Sequence, residues 1–106
     1  MNFDFENSED QKLATLAFAT LVRANSKQAA ALRDDTGRTY VAINIKSGTF
    51  ELDALRAVLT VALSSQISKI ESVVICGEVP KDVSVITDHS PAASIWYVSE
   101  SDKKSL

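Results

Sequence analysis

Cysteine and histidine each occur once in the 106 residues of this sequence. That excludes a disulfide within the chain, and it excludes an ordinary zinc site built from one chain's thiolates and imidazoles. Proline occurs twice and glycine three times, so regular elements joined by short connections are expected. Long apolar runs are also absent. The most apolar stretch is interrupted by Asp53, Arg56, Thr60 and Ser64, far short of the roughly 20 apolar residues a membrane helix needs. An excess of positive charge is missing too. The 11 Lys and Arg against 14 Asp and Glu leave a net charge of −3, which offers no electrostatic basis for holding nucleic acid. The leader from Met1 to Asp10 carries Asp4, Glu6, Glu9 and Asp10 and no basic residue, the reverse of a signal peptide. A cytoplasmic protein is expected, without membrane or nucleic-acid partners. It would form a single domain over 1–106, with residues 1–7 and 100–106 as disordered tails.

Hydrophobic periodicity and turn chemistry then predict the elements. Ser8-Glu9-Asp10-Gln11 has capping-box form. A helix follows over about 9–24, its stripe of Leu13, Leu16, Ala17 and Leu21 widened by Ala14, Phe18 and Val22. The run from Ala29 to Arg33, the turn Asp34-Asp35-Thr36-Gly37 and the alternating run from Arg38 to Ile45 predict a β-hairpin. Ser47-Gly48-Thr49 is expected to lead into a second helix over about 51–65. That helix is apolar around most of its circumference except for Asp53, Arg56, Thr60 and Ser64, and so is expected to be sandwiched between the sheet and further protein. Residues 72–76 read as a buried strand, 80–88 as either a short helix or a strand, and 94–98 as the last strand. On that strand Trp96 and Tyr97 alternate between core and rim. The order α-β-β-α-β-(α)-β predicts an α/β sandwich with a mixed sheet.

Ala30-Ala31-Leu32-Arg33-Asp34-Asp35-Thr36-Gly37-Arg38-Thr39-Tyr40, followed by Asn44-Ile45 and Ser47-Gly48-Thr49-Phe50, resembles the hairpin and following loop of the cytidine deaminases, which read G-A-A-L-x-x-x-D-G-x-x-Y/F and N-x-E-N. The likeness covers about residues 9–77 and implies a cytidine deaminase-like α/β/α sandwich with a mixed sheet, shortened at the C-terminus. The departures fall on the chemistry. Where that family opens its central helix with Cys-Ala-Glu or His-Ala-Glu, which supplies a zinc ligand and the proton-shuttling carboxylate, this chain has Asp53-Ala54-Leu55 or, without a gap, Leu55-Arg56-Ala57. Where the family has P-C-x-x-C, Pro80 precedes Lys81-Asp82-Val83-Ser84 and Pro91 precedes Ala92-Ala93-Ser94. The segment before the first strand is shortened to Asn25-Ser26-Lys27-Gln28, without the family's ring-contacting Phe, and the ribose-binding N-x-E becomes Asn44-Ile45-Lys46.

The resemblance therefore implies a degenerate member, catalytically inactive, with no metal, no cofactor and no catalytic residue. It would act by oligomerisation or protein association with residual nucleoside binding. The candidate ligand-binding residues are Asn44, Asp53 and Arg56. Asn44 is either a ribose contact or a cap at a strand end. Asp53 is a surviving carboxylate or a helix N-terminal acid paired with Arg56, and Arg56 is a phosphate contact or that acid's partner. Cys76 reads as a small buried hydrophobe and His89 as a solvated loop residue. The expected partner is a second copy, in a dimer or tetramer as the resemblance implies. The alternative is a zinc-dependent nucleoside deaminase whose ligands come from Asp53, Cys76 and His89 or are shared between subunits.

Overall fold

Alanine favours helix, yet Ala29-Ala30-Ala31 lies in a strand, β1 (Gln28–Asp34), because that strand is covered on both faces and is buried at every position. The computed structural model describes residues 2–100 and 102–106. Strand β1 pairs antiparallel with β2 (Thr39–Ile43) on one side and β5 (Ile70–Gly77) on the other. Strand β5 runs parallel to β6 (Ser94–Val98), and β6 pairs antiparallel with β7 (Lys103–Ser105), which gives a mixed sheet of order β2-β1-β5-β6-β7. Side chains alternate across it with the period of two that a strand imposes. Ala29, Ala31, Val74, Cys76 and Val98 pack beneath helix α1 (Ser8–Ala24), whereas Ala30, Leu32, Val73 and Ile75 pack against helix α2 (Ala54–Ser64) and Ile86 of helix α3 (Ser84–His89). The architecture is an α/β/α sandwich, and the ambiguous stretch 80–88 resolves to the short helix α3.

Several local expectations are corrected. The cap of α1 is Asn7 rather than Ser8: its Oδ1 accepts from the amides of Glu9 and Asp10. Gln11 is drawn away from a capping box, since its Oε1 accepts from the amide of Phe3. Residues 45–52, expected as a loop running into a helix, form a small hairpin of β3 (Ile45–Ser47) and β4 (Phe50–Leu52), turned at Gly48 with φ +60°. The helix begins at Ala54 rather than near Glu51 because Asp53 caps it, its Oδ1 accepting from the amide of Arg56 at 2.8 Å. Among the described residues α2 is covered on its sheet side, with Arg56, Thr60 and Ser64 exposed.

Some residues of the expected tails pack against the sandwich. Phe3 is buried with its ring 6.0 Å from that of Phe18, and Phe5 meets Trp96 edge-on at 5.1 Å. Lys103 in β7 lies over both Phe5 and Trp96. Burial of aromatic area outweighs the cost of ordering these ends. Met1 and Ser101, both within those expected tails, lie outside the described residues.

Candidate functional site

The first residue of β1 organises one end of the sheet. Gln28 is buried, its Oε1 accepts from the amide of Ala54 at 2.8 Å, and its Nε2 donates to the carbonyl of Glu78 at 2.9 Å. One carboxamide thus ties the N-terminus of α2 to the exit of β5. The backbone of Gln28 is engaged as well: its amide donates to Asn44 Oδ1 at 3.0 Å, while its carbonyl accepts from the Asn44 amide at 3.3 Å and from the Ser26 hydroxyl at 3.0 Å. Gly77, at φ +89°, lets β5 turn against this corner, and the Glu78 amide donates to the Lys27 carbonyl at 2.9 Å. Sequence reasoning missed Gln28. The available signal was a long polar side chain at the head of a buried alanine run, which must find partners inside the protein.

Around this corner lies a cleft of about 730 Å³, within the range of about 300–1,000 Å³ common for small-molecule pockets. All three candidate residues from the sequence, Asn44, Asp53 and Arg56, line it, with Lys46 and Glu51 from the small hairpin and Lys81 beyond β5. Asn44 caps the strand entry through its amide oxygen while its amide nitrogen stays free of that contact. Asp53 caps α2 and pairs with Arg56 Nη1 at 3.2 Å. Lys46 sits 3.9 Å from Glu51 across the hairpin.

These residues do not suit the zinc that the family resemblance implies. Among the described residues no three of His, Cys, Asp and Glu come together as a metal site. Cys76 points into the core under α1, on the other face of the sheet from α2. Burial pushes its thiol up to about 11, against a weaker pull from the Ala29 backbone. His89 lies at the opposite end of β5. Its Nδ1 contacts Ser90 Oγ at 2.8 Å, and that oxygen accepts from the amide of Ile70, the first residue of the strand. The cleft lies beyond the last, so His89 and Asp53 sit at opposite ends of β5, whose eight residues span roughly 23 Å at ~3.3 Å per residue. Asp53, Cys76 and His89 are not brought together, and α2 opens on Asp53, Ala54 and Leu55, with Leu55 fully buried.

A family model described as cytidine deaminase-like matches residues 6–102. No curated protein matches the sequence. Among solved structures, the cytidine deaminase from Burkholderia pseudomallei aligns with a TM-score of 0.71 at 16% identity, covering 90% of this chain and 89% of that one. The cytidine deaminase from Mycobacterium leprae gives 0.66 at 15% identity, with 89% and 90% covered. A single-site mutant of the cytidine deaminase from Mycobacterium tuberculosis gives 0.61 at 18% identity, with 89% and 85% covered. At these identities the likeness is one of fold.

Proposed function

Because this chain belongs to the cytidine deaminase-like family, we propose that it keeps the family's sandwich and a nucleoside-sized cleft without the zinc chemistry, and that it acts by binding and association rather than by hydrolysing an amine. The observation that carries this reading is the N-terminus of α2. A zinc deaminase needs a metal ligand there to activate water and a carboxylate beside it to move protons. Here Asp53 is committed to capping the helix and to Arg56, Leu55 is core, and the Ala54 amide is taken by Gln28.

Residual nucleoside binding is supported by Asn44, which lines the cleft with its amide nitrogen available to an acceptor such as a ribose hydroxyl. Association is supported by α2, whose outward side leaves Val61 and Leu63 43% and 45% exposed.

The test is zinc content measured on purified protein, together with absorbance-monitored deamination of cytidine on the same sample. Zinc well below one per chain and a background rate are expected. Zinc near one per chain that survives dialysis, accompanied by turnover, would overturn the reading and restore the deaminase alternative.

A further inference from the structure

The unspent groups around the cleft are mostly hydrogen-bond donors. Its lining carries four cationic side chains, Lys27, Lys46, Arg56 and Lys81, against the carboxylates Glu51, Asp53 and Glu78, although the whole chain is acidic at −3. Two of the cations are matched, Lys46 with Glu51 and Arg56 with Asp53. Lys27 and Lys81 have no ion-pair partner among the described residues. The amide oxygens are used internally: Asn44 Oδ1 accepts from Gln28, and Gln28 Oε1 accepts from Ala54. Asp53 is spent on the Arg56 amide and guanidinium. What remains for a ligand is the Asn44 amide nitrogen, the rest of the Arg56 guanidinium and two free ammonium groups, with Glu78 as the unmatched carboxylate of the lining and Asp82, held by Ser84 next to Lys81, acting on Arg56 from outside it. Charged donors bind ionised acceptors far better than neutral ones, so this inventory selects an anion.

We infer that the cleft takes a phosphate monoester of nucleoside size, held at its phosphate by Lys27 and Lys81, in preference to the neutral nucleoside. The inference rests on the reading of the cleft as nucleoside-sized and adds the charge of the ligand to it. Calorimetry at low ionic strength with cytidine 5′-monophosphate, cytidine and inorganic phosphate as separate probes tests both. The monophosphate is expected to bind, with the other two at least about tenfold weaker, as befits the loss of a charge-assisted contact or of the nucleoside. The double variant Lys27→Glu, Lys81→Glu alters only exposed side chains and should weaken monophosphate binding by more than about tenfold, while Glu78→Gln should strengthen it. Cytidine binding as tightly as its monophosphate, or unchanged binding in the double variant, would overturn the anion inference and leave the cleft reading standing. Inorganic phosphate binding as tightly as the monophosphate would overturn the nucleoside-sized part. No heat from any of the three probes would overturn both.

Discussion

Arg33 lies on the α1 face of β1, where its Nη2 reaches Asp10 at 2.9 Å and its Nε donates to Glu71 at 2.8 Å. Burial works against its charge, but Glu71 and Asp10 more than offset that and raise its pKa. The two partners differ in setting: Asp10 is buried at the start of α1, whereas the Glu71 side chain is 53% exposed. Removing the guanidinium strands a buried carboxylate, while removing the exposed acid leaves the inner pair intact. Arg33→Met is therefore expected to cost about 3–5 kcal/mol, and Glu71→Gln less than about 1 kcal/mol, in urea unfolding near neutral pH. Equal losses would mean that the inner pair contributes no more than the outer one. Asp34 next to it shows the same balance in reverse. Burial opposes its charge, yet hydrogen bonds from the Thr36 hydroxyl and the amides of Arg38 and Thr36 outweigh it and hold the carboxyl below its usual range. That explains how an acid so close to the core can anchor the β1–β2 turn.

At the level of elements, the shape of the cleft depends on how closely the entry of β1 approaches the exit of β5. Gly77 marks that contact: a Cβ built there would fall 2.2 Å from the Lys27 carbonyl oxygen, at φ +89°. Gly37 in the β1–β2 turn has a similar φ of +92°, yet nothing lies within 4 Å of the same added atom. Gly37→Ala should cost only the left-handed penalty of about 1–2 kcal/mol, and Gly77→Ala about 3 kcal/mol or more because a steric clash is added. A comparison of urea midpoints distinguishes the two, and equal midpoints would show that the corner is loosely packed. The strands and helices themselves follow from local pattern. The hairpin was readable from Asp34-Asp35-Thr36-Gly37, and α1 from its apolar stripe. The small β3–β4 hairpin was not, because its three-residue strands are exposed and have no buried face to impose alternation.

For the whole molecule, α2 has one side against the sheet and one exposed. Ala54, Leu55, Ala57, Val58 and Ala62 turn toward the sheet, and Val61 and Leu63 flank an exposed polar stripe on the other side. If the proposed self-association uses this helix, light scattering coupled to size exclusion at high micromolar concentration should give a dimer or larger species. Leu63→Lys should then shift it toward monomer without lowering the stability of the fold, since the side chain is already 45% exposed. A monodisperse wild-type monomer at that concentration would argue against association through α2. Among the described residues no helix is long and apolar enough to cross a membrane.

The residues of the central hairpin and the loop after it point by resemblance to the family, and local chemistry in the sequence decided the mixed α/β architecture and the hairpin itself, because periods of 2 and 3.6 and the residues of turns act over a few positions. It also named Asn44, Asp53 and Arg56, and anticipated that Asp53 and Arg56 would pair one helical turn apart. Only the tertiary structure brought these three to one cleft. Gln28 meets Ala54 across 26 positions and Glu78 across 50, separations at which no local pattern operates. The ends of the chain were decided in the same way. Phe3 and Phe5 look like part of an acidic, solvated leader until α1 and β6 offer Phe18 and Trp96 as surfaces to bury them against. That burial energy exists only once distant elements have come together.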